Sequence, residues 1–164
     1  MHRLLILPAL LLAAAVAWAC GDKLMLIMGA RLQIRSAHPA LILAYPGQTP
    51  SATLIRDLQF QSAVKKAGHR IQVVEDPAGL DNALKGGKYD LVLADVAHAN
   101  EVSQRVLSAP SKPVFLPVAF QASKEEQSSA QKKYRFLLKA PSKSENYLTA
   151  IDQAMDWKLK SIKR

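Results

Sequence analysis

Five short apolar runs constrain this chain more than anything else in it: Ala40 to Tyr45, Ile71 to Val74, Leu91 to Ala94, Val114 to Phe120 and Phe136 to Leu138. Most are continuously apolar rather than alternating, which is how strands read when a parallel sheet is covered on both faces. Between them, apolar residues recur at helical spacing: Leu54, Leu58, Val64 and Ala67; Leu80, Ala83 and Leu84; Val102, Val106 and Leu107; Tyr147, Leu148, Ile151, Met155 and Leu159. Residues 123–134 are polar and weakly amphipathic, predicting a mostly exposed helix. Pro77 and Ser144-Glu145 suit helix starts, Gly86-Gly87 a helix end, and Glu75-Asp76 a first turn in which carboxylates complement the helix dipole. Strand and helix alternating five times predict an α/β fold: a five-stranded parallel, doubly wound sheet with right-handed crossovers, sandwiched between two helical layers. This domain is expected over 39–164, with no internal repeat and no low-complexity linker.

The first residues point to the cell envelope. His2 and Arg3 form a short basic start, Leu4 to Ala19 carries no charge, and Ala17-Trp18-Ala19 is an A-x-A pattern ahead of Cys20. A secretory signal over 1–19 is expected, the run being shorter than the roughly 20 residues of a membrane-spanning helix and interrupted by Pro8. An uncleaved anchor is the alternative. Cys20 is the only cysteine, so it cannot make an intramolecular disulfide. Its position resembles the lipobox of bacterial lipoproteins, which implies acylation of Cys20; cleavage by ordinary signal peptidase is the other reading. Residues 20–38 are an N-terminal extension or membrane-proximal segment. The expected location is exported, either periplasmic or anchored and facing the periplasm.

Lysine and arginine number 22 against 13 acids, a formal charge of +9. Outside the cytoplasm the available polyanions are lipid headgroups and wall polymers. The basic residues are spread along the chain, with groups at Lys65, Lys66, His69 and Arg70, at Lys132, Lys133 and Arg135, and at Lys158, Lys160, Lys163 and Arg164. No basic patch is interleaved with aromatics, so nucleic acid is not an expected partner.

Five βα units in this length, with Asp95 closing the third strand and Lys139 closing the fifth, resemble the receiver (CheY-like) domain of bacterial response regulators over roughly residues 40–160. The resemblance implies a flavodoxin-like sheet of order 2-1-3-4-5. It also implies a phospho-acceptor at Asp95, a family lysine at Lys139 and a switch aromatic at Phe136. Lys112-Pro113-Val114-Phe115-Leu116-Pro117 is similar to the family's fourth strand. The chain departs from the pattern where phosphoryl chemistry needs it most. Strand one ends Leu43-Ala44-Tyr45-Pro46 without the acidic pair that would bind Mg²⁺. Val118 stands where a hydroxyl should contact the phosphoryl group, and Ala140 separates Lys139 from Pro141. Without metal and hydroxyl, little but Lys139 would stabilise the transferring group.

Two readings of the strand ends remain. Asp95 and Lys139 form an ion pair across neighbouring strands, or Tyr45, Asp95, His98, Phe120 and Lys139 converge on a ligand crevice beyond the carboxyl ends of the sheet. His38, His69 and His98 are isolated, and no metal-ligand spacing, nucleophile elbow or phosphate loop is present. No catalytic residue, metal or cofactor is therefore expected. The leading expectation is a degenerate, non-enzymatic receiver-like domain that binds an envelope protein or a small ligand. The last helix is its contact surface, with Tyr147, Ile151 and Met155 inward and Trp157 outward. The alternatives are a cytoplasmic phospho-accepting regulator using Asp95, and a small-ligand carrier or enzyme using the strand-end crevice.

Overall fold

A computed structural model describes residues 35–163. The 1–19 signal, Cys20 and most of the 20–38 extension lie outside the described residues. From Ser36 onward the chain forms one compact unit. Its elements are β1 (Leu41–Tyr45), α1 (Ser51–Ile55), α2 (Leu58–Lys66), β2 (Arg70–Val73), α3 (Pro77–Lys85), β3 (Leu91–Asp95), a 3₁₀ turn (Val96–His98), α4 (Ala99–Leu107), β4 (Val114–Phe120), α5 (Lys124–Lys133), β5 (Leu138–Ala140) and α6 (Ser144–Ile162).

The five strands make one sheet of order β2-β1-β3-β4-β5, every pair parallel. The parallel, doubly wound sheet is the one the apolar runs and the helices between them predict, and its order is the one the receiver resemblance implies. The two faces bury separate clusters. One packs Ile42, Ala44, Leu93, Leu116 and Val118 under α1, α2 and α6; the other packs Leu43, Tyr45, Val92 and Ala94 under α3 and α4. β3 is buried along its whole length, whereas β2, at the sheet edge, alternates between exposed and half-buried residues. Being covered on two faces is what removes alternation from a central strand's sequence.

Three local features differ from expectation. The span from Leu54 to Ala67 is two helices, because Asp57 leaves the helical conformation and its side chain accepts from the Gln59 N–H at 2.8 Å, capping α2. β5 lies two residues further on than the Phe136–Leu138 run; Phe136 sits before it, its ring 6.1 Å from that of Trp157. Leu58 and Leu107, counted among the inward positions of their helices, are 79% and 80% exposed, at the first turn of α2 and the last turn of α4. Elsewhere the punctuation acts as its chemistry dictates. Asp76 caps α3 by accepting from Gly79 N, Pro77 opens that helix, and Ser123 with Glu126 forms a complete capping box on α5. The Ala140–Pro141 peptide is cis.

Candidate functional site

Asp95 ends β3 at the carboxyl edge of the sheet, where an open α/β fold would place a ligand. Its side chain is only 8% exposed and already committed. Oδ1 accepts from the Ala97 N–H at 2.8 Å, capping the 3₁₀ turn, and Oδ2 accepts from the Ser51 N–H at 3.3 Å, tying down the first turn of α1.

The loop from Tyr45 to Ser51 folds over this carboxylate. Pro46 and Gly47 are buried, the Thr49 hydroxyl donates to the Pro46 carbonyl at 2.7 Å, and the Thr49 and Ser51 hydroxyls lie 2.9 Å apart. Gly47 has φ +55°, and a Cβ there would lie 3.4 Å from His98 Nε2 and 3.8 Å from Tyr45 Cζ. Glycine adopts this left-handed φ without strain, and an added Cβ would meet the two rings at ordinary van der Waals distance. The Tyr45 and His98 rings are themselves 5.9 Å apart and tilted by 52°. Tyr45, Asp95 and His98 thus border one loop, with Gly47 against the Tyr45 and His98 rings and the Ser51 N–H on Asp95.

Phe120 and Lys139 do not join them. Asp95 is in register with Val118, and Val118 with Leu138. Registered residues of parallel strands share a face and successive residues alternate, so Lys139 projects from the opposite face to Asp95. Lys139 is exposed between buried Leu138 and Ala140. The ion pair expected between Asp95 and Lys139 does not form; the aspartate takes backbone donors instead. Phe120 lines a separate groove of about 250 Å³ with Leu54, Phe60, Pro141 and Tyr147. Val118 is fully buried beside Asp95, so an apolar side chain occupies the position where a phosphoryl group would need a donor. Among the described residues, no three His, Cys, Asp or Glu side chains are grouped to hold a metal.

Besides fully buried Ser51, whose N–H donates to Asp95, two buried polar residues went unrecognised in the sequence. His69 is 1% exposed; its Nδ1 accepts from the Ala40 N–H at 3.1 Å, and its Nε2 has no hydrogen-bond partner, lying 3.9 Å from Asp152 Oδ1. Burial lowers its pKa, partly opposed by the charge of Asp152. Lys158 is 8% exposed and donates to Asp90 Oδ1 at 2.8 Å, while Asp90 Oδ2 accepts from the Leu41 N–H at 2.9 Å. The Lys158 pair was findable, because Lys158 continues the inward stripe of Ile151, Ala154 and Met155. Nothing local distinguishes His69 from a solvated histidine. Both groups sit at the amino ends of the strands and bind elements together there.

On the outer side of α6, Trp157 is 39% exposed, with the Arg135 guanidinium carbon 5.2 Å from its ring centroid. A hollow of about 240 Å³ beside it is lined by Gln131, Tyr134, Arg135, Phe136, Ala150 and Gln153. Tyr147, Ile151 and Met155 face inward, as the spacing requires.

No protein-family model and no curated protein sequence matches the chain. Solved structures do. NtrX from Brucella abortus, determined in complex with ADP, is similar over 77% of this chain at 16% identity and a TM-score of 0.60, and the chain spans only 29% of NtrX. The non-phosphorylated HemR receiver domain of Leptospira biflexa matches over 72% of this chain and 94% of its own, at 14% identity and a TM-score of 0.54. The chemotaxis response regulator CheY4 of Vibrio cholerae matches over 71% of this chain and 99% of its own, at 18% identity and a TM-score of 0.54. At these identities the likeness establishes the receiver-like fold.

Proposed function

We propose that this is a receiver-like domain without phosphoryl chemistry, acting as a non-catalytic binding module held at a membrane by the segment that precedes it. The carrying observation is the state of Asp95, a buried residue whose carboxylate accepts from two backbone N–H groups, those of Ser51 and Ala97. A phospho-acceptor needs a reachable carboxylate, a metal held by further carboxylates and donors for the developing charge. Here β1 ends in Tyr45-Pro46, Val118 adjoins the aspartate, and Lys139 lies on the other face. The exposed Trp157–Arg135 stack and the hollow beside it support a contact surface for a partner protein at α5, β5 and α6. The uncharged Leu4–Ala19 run and Cys20 support attachment to the envelope, by acylation or by an uncleaved anchor. No described helix is long and apolar enough to cross a membrane.

Incubating the full chain with Mg²⁺ and acetyl phosphate should leave its intact mass unchanged. An added phosphoryl mass that disappears in Asp95→Asn would overturn the reading in favour of the phospho-accepting alternative. For the attachment, the intact mass of protein recovered from separated membrane and soluble fractions is expected to show a membrane-bound chain, beginning at an acylated Cys20 or unprocessed. Finding it only as an unacylated, soluble chain removes the tether.

A further inference from the structure

We propose that the domain docks on anionic membrane through one end, the end formed by the amino termini of its five strands; this rests on the membrane attachment proposed above. Because all the strands are parallel, their amino ends share one pole of the domain. Exposed Lys65 and Lys66 end α2 there, Arg70 begins β2, Lys88 and Lys112 lie in the loops entering β3 and β4, and Lys163 follows α6. Lysine at the end of a helix complements the helix dipole, which accounts for Lys65, Lys66 and Lys163. Arg70, Lys88 and Lys112 have no such reason to be basic. Lys112 even holds φ +43°, a left-handed conformation that glycine or asparagine adopts more easily.

The acids at this pole are fewer than the bases. Asp90 is paired with Lys158 at 2.8 Å, which leaves Asp152, accepting from the Ser36 hydroxyl at 2.5 Å, and Asp156, 3.4 Å from His38 Nε2, against the six basic side chains. At the opposite pole carboxylates are in excess: Asp57, Asp76, Asp95, Glu125, Glu126 and Glu145 lie near the carboxyl ends of the strands or the starts of helices against Lys124, Lys139 and Lys143, while Glu75 pairs with Arg56 at 2.5 Å. The domain is therefore polarised along its strands.

The chain also enters the domain at the basic pole. Ser36 N donates to the Ala67 carbonyl at 2.9 Å, beside the end of α2. From Cys20 to Ser36 there are about 16 residues, which even fully extended span no more than about 55 Å. A membrane attachment at Cys20 keeps the basic pole within that distance of the headgroups, and one ending at Ala19 lengthens the reach by only about 3.5 Å. Anionic lipid is the polyanion whose location this tether dictates. Each basic side chain brought to an anionic surface strengthens attachment roughly fivefold, and the effect fades beyond a Debye length.

The test is lysine reactivity on the full-length chain reconstituted into vesicles of phosphatidylcholine, with or without phosphatidylglycerol. A water-soluble acylating reagent is applied and each lysine is read by mass spectrometry. On phosphatidylglycerol vesicles, Lys65, Lys66, Lys88, Lys112 and Lys163 should react at least about fivefold more slowly than on neutral vesicles. Lys124, Lys139 and Lys143 at the other pole should be unchanged, and molar salt should erase the difference. In the combined variant Lys66→Gln, Arg70→Gln, Lys88→Gln and Lys112→Gly, with its circular dichroism unchanged, Lys65 and Lys163 should regain their neutral-vesicle rates.

The outcomes separate the two proposals. Flotation with both vesicle types but equal reactivity on each overturns the docking and leaves the tether. Flotation with anionic vesicles alone keeps the docking and removes the tether, and flotation with neither overturns both. Protection of the same lysines by a short single-stranded RNA at physiological salt, without protection by anionic vesicles, overturns the docking and makes nucleic acid the ligand of this pole.

Discussion

Removing the Asp95 carboxylate should destabilise the domain, because the side chain holds two chain segments in place. In Asp95→Ala the Ala97 N–H loses its cap, a loss that typically costs about 1 kcal/mol. The Ser51 N–H loses its acceptor in a buried position, and an unsatisfied buried donor costs about 1–3 kcal/mol. The 3.3 Å length of that bond favours the lower half of the range. Together these give about 2–3 kcal/mol, or a fall in Tm of roughly 10 °C for a domain of this size. Asp95→Asn keeps a carbonyl acceptor and should cost only about 1 kcal/mol. Equilibrium urea unfolding followed by circular dichroism measures both variants. An acceptor carboxylate crowded by other acids would behave in the opposite way, since removing it relieves like-charge repulsion. Wild-type or greater stability of Asp95→Ala would refute the structural role assigned to this residue.

Further perturbations address the loop and the amino-end contacts. Gly47→Ala puts a Cβ on a backbone with φ +55° and is expected to lose about 1–2 kcal/mol by urea unfolding. Stability should also fall as pH drops below about 6.5, the value for an unperturbed histidine. The unfolded chain takes up a proton there that buried His69 does not, its folded pKa being lowered, and the loss continues until that lowered value is passed. Protonation would also remove the lone pair that accepts the Ala40 N–H. His69→Gln should flatten this part of a Tm-against-pH profile, and an unchanged slope would reassign it to other groups. Lys158→Ala is expected to cost about 2–3 kcal/mol, below the range for a fully buried pair because the Asp90 side chain is 33% exposed.

Much of this architecture is written in the sequence, and the residues that were misread share a physical cause. The Leu91–Asp95 run is apolar throughout because both faces of β3 are covered, so composition and length suffice to find it. β5 is short, at the sheet edge and carries exposed Lys139, so the more apolar Phe136 before it drew the expected strand two residues early. The break between α1 and α2 depends on one aspartate turning its side chain back to the chain, which hydrophobic spacing does not record. The site was legible in the same uneven way. Val118 and the Tyr45-Pro46 sequence at the end of β1 are read from residue type alone, with no need of the fold. That Lys139 faces away from Asp95 depends on register, and register becomes visible only when the strands are laid side by side.

The central claim, a receiver-like fold whose strand-end site is closed, is tested most directly by adding Mg²⁺ with beryllium fluoride, a stand-in for the bound phosphoryl group, and following backbone amide resonances. The account predicts that the Ser51, Asp95 and Ala97 amides remain unshifted at millimolar concentrations. Saturable shifts at those amides, abolished by Asp95→Asn, would contradict it.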